Sequence, residues 1–100
     1  MSQLHTIKKS WHDASWLYEQ LAFASAGDAI LLYQDAVLAT QSRLTLASFV
    51  AKCQATSIAL YVLQDDCKLR GIENQYDVIQ PVDYAGFVDL VEQHNTQCAW

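Results

Sequence analysis

Along the chain, runs of apolar residues alternate with segments in which apolar residues recur every three or four positions. Leu4 to Ile7 predicts a short first strand. Ser10-Trp11-His12-Asp13 then predicts a helix start with Ser10 as its cap, and Ala14, Leu17, Leu21 and Ala24 carry the helical period to a stop at Gly27. Ala29-Ile30-Leu31-Leu32-Tyr33 is apolar without alternation, as expected of a strand covered on both faces in a parallel sheet. Thr45 to Gln54 predicts a second helix, with Leu46, Phe49, Val50 and Cys53 on one stripe. Ser57 to Leu63 predicts a third strand.

The same alternation continues to the end. Asp65 is expected to cap a short helix that runs through Arg70 and stops at Gly71. Val78 to Val82 predicts a fourth strand, and Pro81, which has no N–H to donate, assigns it to a sheet edge or a strand end. Asp83 is expected to cap a last helix with Tyr84, Phe87, Val88, Val91 and His94 on one face, followed by a closing strand from Thr96 to Trp100. Strands alternating with helices give an α/β class fold: a small doubly wound, mostly parallel sheet flanked by helices, in a single domain over residues 1–100. Ligands of such sheets bind beyond the carboxyl ends of the strands, where Gln34-Asp35 and Gln64-Asp65-Asp66 fall.

Composition narrows the function classes. With 52% hydrophobic residues, one proline and three glycines, the chain is expected to fold rather than remain disordered. The longest strongly apolar stretches are far shorter than the roughly 20 residues of a membrane helix. The start lacks the basic-then-apolar order of a secretory signal, so a cytoplasmic location and no membrane partner are expected. A net charge of −5, with six basic residues spread along the chain, offers no phosphate-neutralising stripe, so no direct nucleic-acid contact is expected.

Candidate chemistry is sparse. The turn between the first strand and first helix, Lys8 to Asp13, has no glycine for a nucleotide phosphate, and neither a G-x-S-x-G nor an H-E-x-x-H motif occurs. No cofactor, metal site or catalytic residue is assigned. Cys53, Cys67 and Cys98 are an odd set without C-x-x-C spacing, and His5, His12 and His94 are scattered. Cys67 is the thiol of most interest, because the first turn of a helix favours a thiolate, although the adjacent Asp65 and Asp66 oppose that effect. Asp35, Asp65 and Asp66 are expected at one end of the sheet, with helix caps and solvated loop ends as the preferred account. Three tryptophans and five tyrosines exceed what the core can hold, since Trp11 and Trp16 do not both face inward from one helix. An exposed aromatic surface, and with it a protein interface, is therefore expected.

Four segments together resemble the DsrH/TusB family: Leu4-His5-Thr6, Gly27-Asp28-Ala29-Ile30-Leu31-Leu32-Tyr33-Gln34-Asp35, Asp66 with Arg70-Gly71-Ile72, and Gln97-Cys98-Ala99-Trp100. The resemblance implies a DsrEFH-like fold. It also implies a place in a sulfur-relay heterohexamer with two related α/β subunits, TusC-like and TusD-like, that passes persulfide sulfur toward 2-thiouridine at the tRNA wobble position. In the sulfur-carrying subunit of that family a cysteine ends the third strand, ahead of an Arg-Arg-Gly-like segment. Matching that segment to Arg70-Gly71 puts Leu63 at or near the cysteine position. The resemblance therefore implies a non-catalytic subunit. Its alternatives are a persulfide-carrying sulfurtransferase subunit using Cys67 and a DsrH-like protein of sulfur oxidation. Asp35, Asp65 and Trp100 are the interface candidates that sheet topology and the resemblance bring forward.

Overall fold

The computed structural model describes residues 2–41, 43–73 and 78–100, the side chains of residues 11–15 and 43–45 excepted. Trp11 and His12, two of the residues weighed above, thus have side chains outside the described set. The elements in chain order are β1 (Gln3–Ile7), α1 (Trp11–Leu21), β2 (Ala29–Leu32), a 3-10 helix (Gln34–Gln41), α2 (Arg43–Ala55), β3 (Ala59–Leu63), α3 (Gln64–Leu69), β4 (Ile79–Val82), α4 (Tyr84–Gln93) and β5 (Thr96–Ala99).

The five strands form one sheet in the order β4-β3-β2-β1-β5, and every neighbouring pair is parallel. Strand order and handedness together fix where the helices go. The steps from β1 to β4 all move in one direction and the step from β4 to β5 moves back, so right-handed crossovers put the first helices on one face and α4 on the other. The two cores agree with this. On one face Ile7, Ile30, Leu32, Leu60 and Val62 pack with Tyr18 and Leu21 of α1, Leu46, Phe49, Val50 and Cys53 of α2, and Cys67 of α3. On the other, Leu4, Ala29 and Leu31 pack with Leu90, Phe87 and Val91 of α4. β2, in the middle of the sheet, is buried at all four residues, which accounts for its unbroken apolar run. Pro81 lies on the edge strand β4, where a missing N–H costs no ladder bond.

Several local expectations are corrected. α1 ends at Leu21, before Gly27, and the N–H of Ala22 closes it on the Tyr18 and Glu19 carbonyls. Gly27, at φ +89°, instead turns the chain into β2, with its N–H bonded to the Ser57 carbonyl at 3.2 Å. The segment Gln34–Gln41, unassigned from sequence, is a 3-10 helix that buries Ala36, Val37, Ala39 and Thr40. Ser57 does not begin β3. It ends α2 in a left-handed conformation (φ +61°), with the Ile58 N–H bonded back to Cys53, and Gly71 ends α3 in the same way (φ +65°, Ile72 N–H to Cys67). Asp65 is not a cap, because Leu63 holds the N-cap position and Asp65 falls inside the first turn. Asp83 does cap α4, accepting from the Gly86 N–H at 2.8 Å. The apolar face expected of α4 is divided: Phe87, Leu90 and Val91 face the sheet, whereas Tyr84 and Val88 are exposed.

Among the described residues no helix is long and apolar enough to cross a membrane.

Candidate functional site

The carboxyl ends of β2 and β3 bring together the residues expected there. Gln34 leaves β2 with φ +51°, a conformation rare outside glycine, and its N–H donates to Asp66 Oδ2 at 2.6 Å across the gap to α3. Asp66 is largely buried, so water competes little for this bond. One turn later Arg70 donates from Nη2 and Nε to Asp35 Oδ1 at 2.9 and 3.2 Å, and from Nη1 to the Asp66 carbonyl at 3.3 Å. Arg70 Nη1 also lies 3.7 Å from Asp66 Oδ1. Asp35 and Asp66 thus converge on one guanidinium, while Asp65 sits half-buried in the first turn of α3 beside them.

Cys67 is the thiol of this cluster, and the structure withdraws it. Its side chain is buried against the core under the sheet end. Burial pushes the thiol pKa above its ordinary value and the Asp66 carboxylate pushes it further, with Arg70 opposing only in part. A thiol held protonated and covered is a poor nucleophile. Cys53 is core, its pKa raised by burial to about 11, and Cys98 on β5 is half-buried. The third strand ends in buried Leu63, at or near the position where the resemblance places the carrier cysteine of a related subunit.

A second polar group was not assembled by sequence reasoning. His5 on β1 donates from Nε2 to Asp28 Oδ2 at 3.1 Å, and its Nδ1 accepts from Trp100 Nε1 at 3.2 Å. An indole N–H only donates, which assigns the Nε2-protonated tautomer to His5. Asp28, buried just before β2, also accepts from the N–H groups of Gln3 (2.9 Å) and Ser25 (3.2 Å). Burial raises the pKa of this carboxyl, but the hydrogen bonds from Gln3, His5 and Ser25 outweigh it, and the net shift is downward. Trp100 is itself partly buried against the core, and its backbone N–H donates to the Thr6 carbonyl at 2.8 Å. The clasp lies at the β1–β5 junction, where the winding direction reverses. The signal in sequence was Gly-Asp ahead of an apolar run, which gave no partner for the aspartate.

Among the described residues no group of three or more His, Cys, Asp or Glu side chains is arranged to hold a metal ion. The chemistry on view is that of a closed, hydrogen-bonded surface.

Known proteins share both the fold and the sequence. The crystal structure of the ychN protein from E. coli superposes with a TM-score of 0.68, covering 100% of each chain at 13% identity, which speaks for the fold alone. Protein TusB of Klebsiella pneumoniae is 37% identical over 99 residues, spanning 97% of this chain and 99% of the relative. Protein TusB of Photorhabdus laumondii is 41% identical over 75 residues, 74% and 76% of the two chains. The family described as DsrH like protein matches residues 9–97, and with near-complete coverage of the TusB relatives this chain belongs to the DsrH family.

Proposed function

We infer that the chain is a non-catalytic subunit of a sulfur-relay assembly, built with two related α/β subunits, that passes persulfide sulfur toward 2-thiouridine in tRNA. Membership of the DsrH family supports the relay, and the state of the thiols supports the non-catalytic role. The observation that carries the reading is the pairing of buried Leu63 at the end of β3 with a Cys67 that is covered and held protonated. A relay step needs a thiolate that another protein's persulfide sulfur can reach, and neither position provides one. The chain instead supplies an α/β body whose exposed aromatics are available to partners. The role is cytoplasmic, without direct contact to tRNA.

Two measurements test this. Light-scattering mass of the chain made together with its two related subunits is expected to give a mixed hexamer, and a chain that stays alone under those conditions removes the reading. Mass spectrometry after exposure to a cysteine desulfurase and cysteine is expected to find Cys67 unmodified. A sulfur adduct lost in Cys67→Ser would transfer the chain to the carrier class.

A further inference from the structure

The charge of this protein is all on one side of its sequence. Residues 1–70 hold all six basic residues and six acidic ones, so the entire formal charge of −5 belongs to residues 71–100, where Glu73, Asp77, Asp83, Asp89 and Glu92 have no lysine or arginine among them. Of these acids Asp83 caps α4 and Asp89 and Glu92 lie on it, and α4 alone covers its face of the sheet, whereas Glu73 lies beside the 3-10 helix, its carbonyl accepting from Gln41 Nε2. Asp77 lies outside the described residues, and the other four acids are exposed.

Tyr84 and Val88 emerge through this acidic surface. They are one helical turn apart on the outer side of α4, 59% and 55% exposed, and flanked on the same side by exposed Ala85, Asp89 and Glu92. Beside the helix the sheet face is not fully covered either. Ala59 and Gln80 are exposed and Tyr61 is half-buried, on a strip that lines a cavity of about 270 Å³.

We propose that the outer face of α4 is a docking surface for a basic protein surface, in which Tyr84 and Val88 enter an apolar socket ringed by lysine or arginine. Charge selects this occupant. A second copy would set the acidic surface against itself, and a phosphate backbone or anionic membrane would be repelled. The aromatic anchor gives affinity and the surrounding carboxylates give approach rate and orientation. The inference rests on the subunit reading above and names the surface through which such a subunit would join its partners. The surface at the end of α1, where exposed Trp16 and Phe23 line a pocket with Glu19 and Gln20, is the internal control.

The test titrates the full chain against its two related subunits, purified as a pair, at low and at physiological salt. Tyr84→Ala and Val88→Asp are each expected to weaken binding about tenfold or more. Asp89→Lys with Glu92→Lys is expected to slow association and remove its salt dependence. All are exposed positions, so circular dichroism and Tm should match the parent. Parent-like affinity, within about twofold, in both Tyr84→Ala and Val88→Asp overturns the proposal. So does an RNA oligonucleotide that binds the parent and is released by Val88→Asp. If the α4 variants bind normally and Trp16→Ala with Phe23→Ala does not, the subunit reading survives and the surface is wrong. If the parent does not bind the pair at all, the subunit reading falls and the docking surface falls with it.

Discussion

Two carboxylate clusters hold this molecule together, and they differ in what surrounds them. Asp28 is buried, accepts three hydrogen bonds and joins residues from β1, the start of β2 and the end of the chain. Asp35 makes a short, well-formed pair with Arg70, yet its side chain is 62% exposed. Water offers Asp35 nearly everything Arg70 does, and offers Asp28 nothing. Geometry alone would rank the two pairs together. Burial separates them, because a buried polar group left without its partner bears its full desolvation cost, whereas an exposed pair is screened.

The largest expected effect is therefore from Asp28→Ala, which orphans the Gln3 and Ser25 N–H groups and His5 Nε2 together. Chemical denaturation should show a loss of about 3 kcal/mol, and a loss under 1 kcal/mol would erase the contrast between the clusters. Acid probes the same group without mutation. Its folded pKa lies below the unfolded value, so the stabilisation is fully present above about pH 3.8 and is lost as pH falls through the folded value. The acid limb of a stability–pH curve should flatten in Asp28→Asn, and an unchanged limb would assign acid unfolding to other carboxyls.

Next comes Trp100→Phe, which keeps an aromatic ring against the core but leaves His5 Nδ1 without its donor. About 1 kcal/mol should be lost, and His5 should then exchange its tautomer, which nitrogen-detected NMR would report. The smallest effect is expected from Asp35→Ala, below about 0.5 kcal/mol and vanishing in high salt. A loss there as large as that of Trp100→Phe would mean that the rim cluster is shielded from water in solution.

The parts of this fold that could be read in advance were those whose cause is local. Ala29 to Leu32 announced a central strand because both of its faces are covered. Pro81 announced an edge because its missing N–H is a property of the residue itself, and Asp83 announced α4 because a cap reaches only three residues. The misses have causes that lie elsewhere in the chain. Gln34–Gln41 buries small and short side chains at a spacing of three, Ala36 with Ala39 and Val37 with Thr40, and so shows no helical stripe of large residues. Asp65 lost the capping position because β3 runs without a turn into α3. Tyr84 and Val88 fit the apolar period of α4, and only the limited width of one helix on a sheet decides that they stay outside. The candidate site was legible in part: Asp35 and Asp66 were expected at one end of the sheet and are there, but their shared Arg70 was not foreseen. His5, Asp28 and Trp100 could not be joined without the strand order that sets β1 between β2 and β5.

That strand order also bears on how the chain reaches this state. β5 pairs with β1, so the contact between Ser2 and Asn95 closes a loop of 93 residues, and its entropic cost has to be met before the pairing gives anything back. A chain in which β5 has not yet docked leaves β1 as an open edge of the sheet. Folding kinetics should accordingly show a late phase sensitive to Trp100, during which the uncovered edge of β1 is the place where one chain can wrongly capture another.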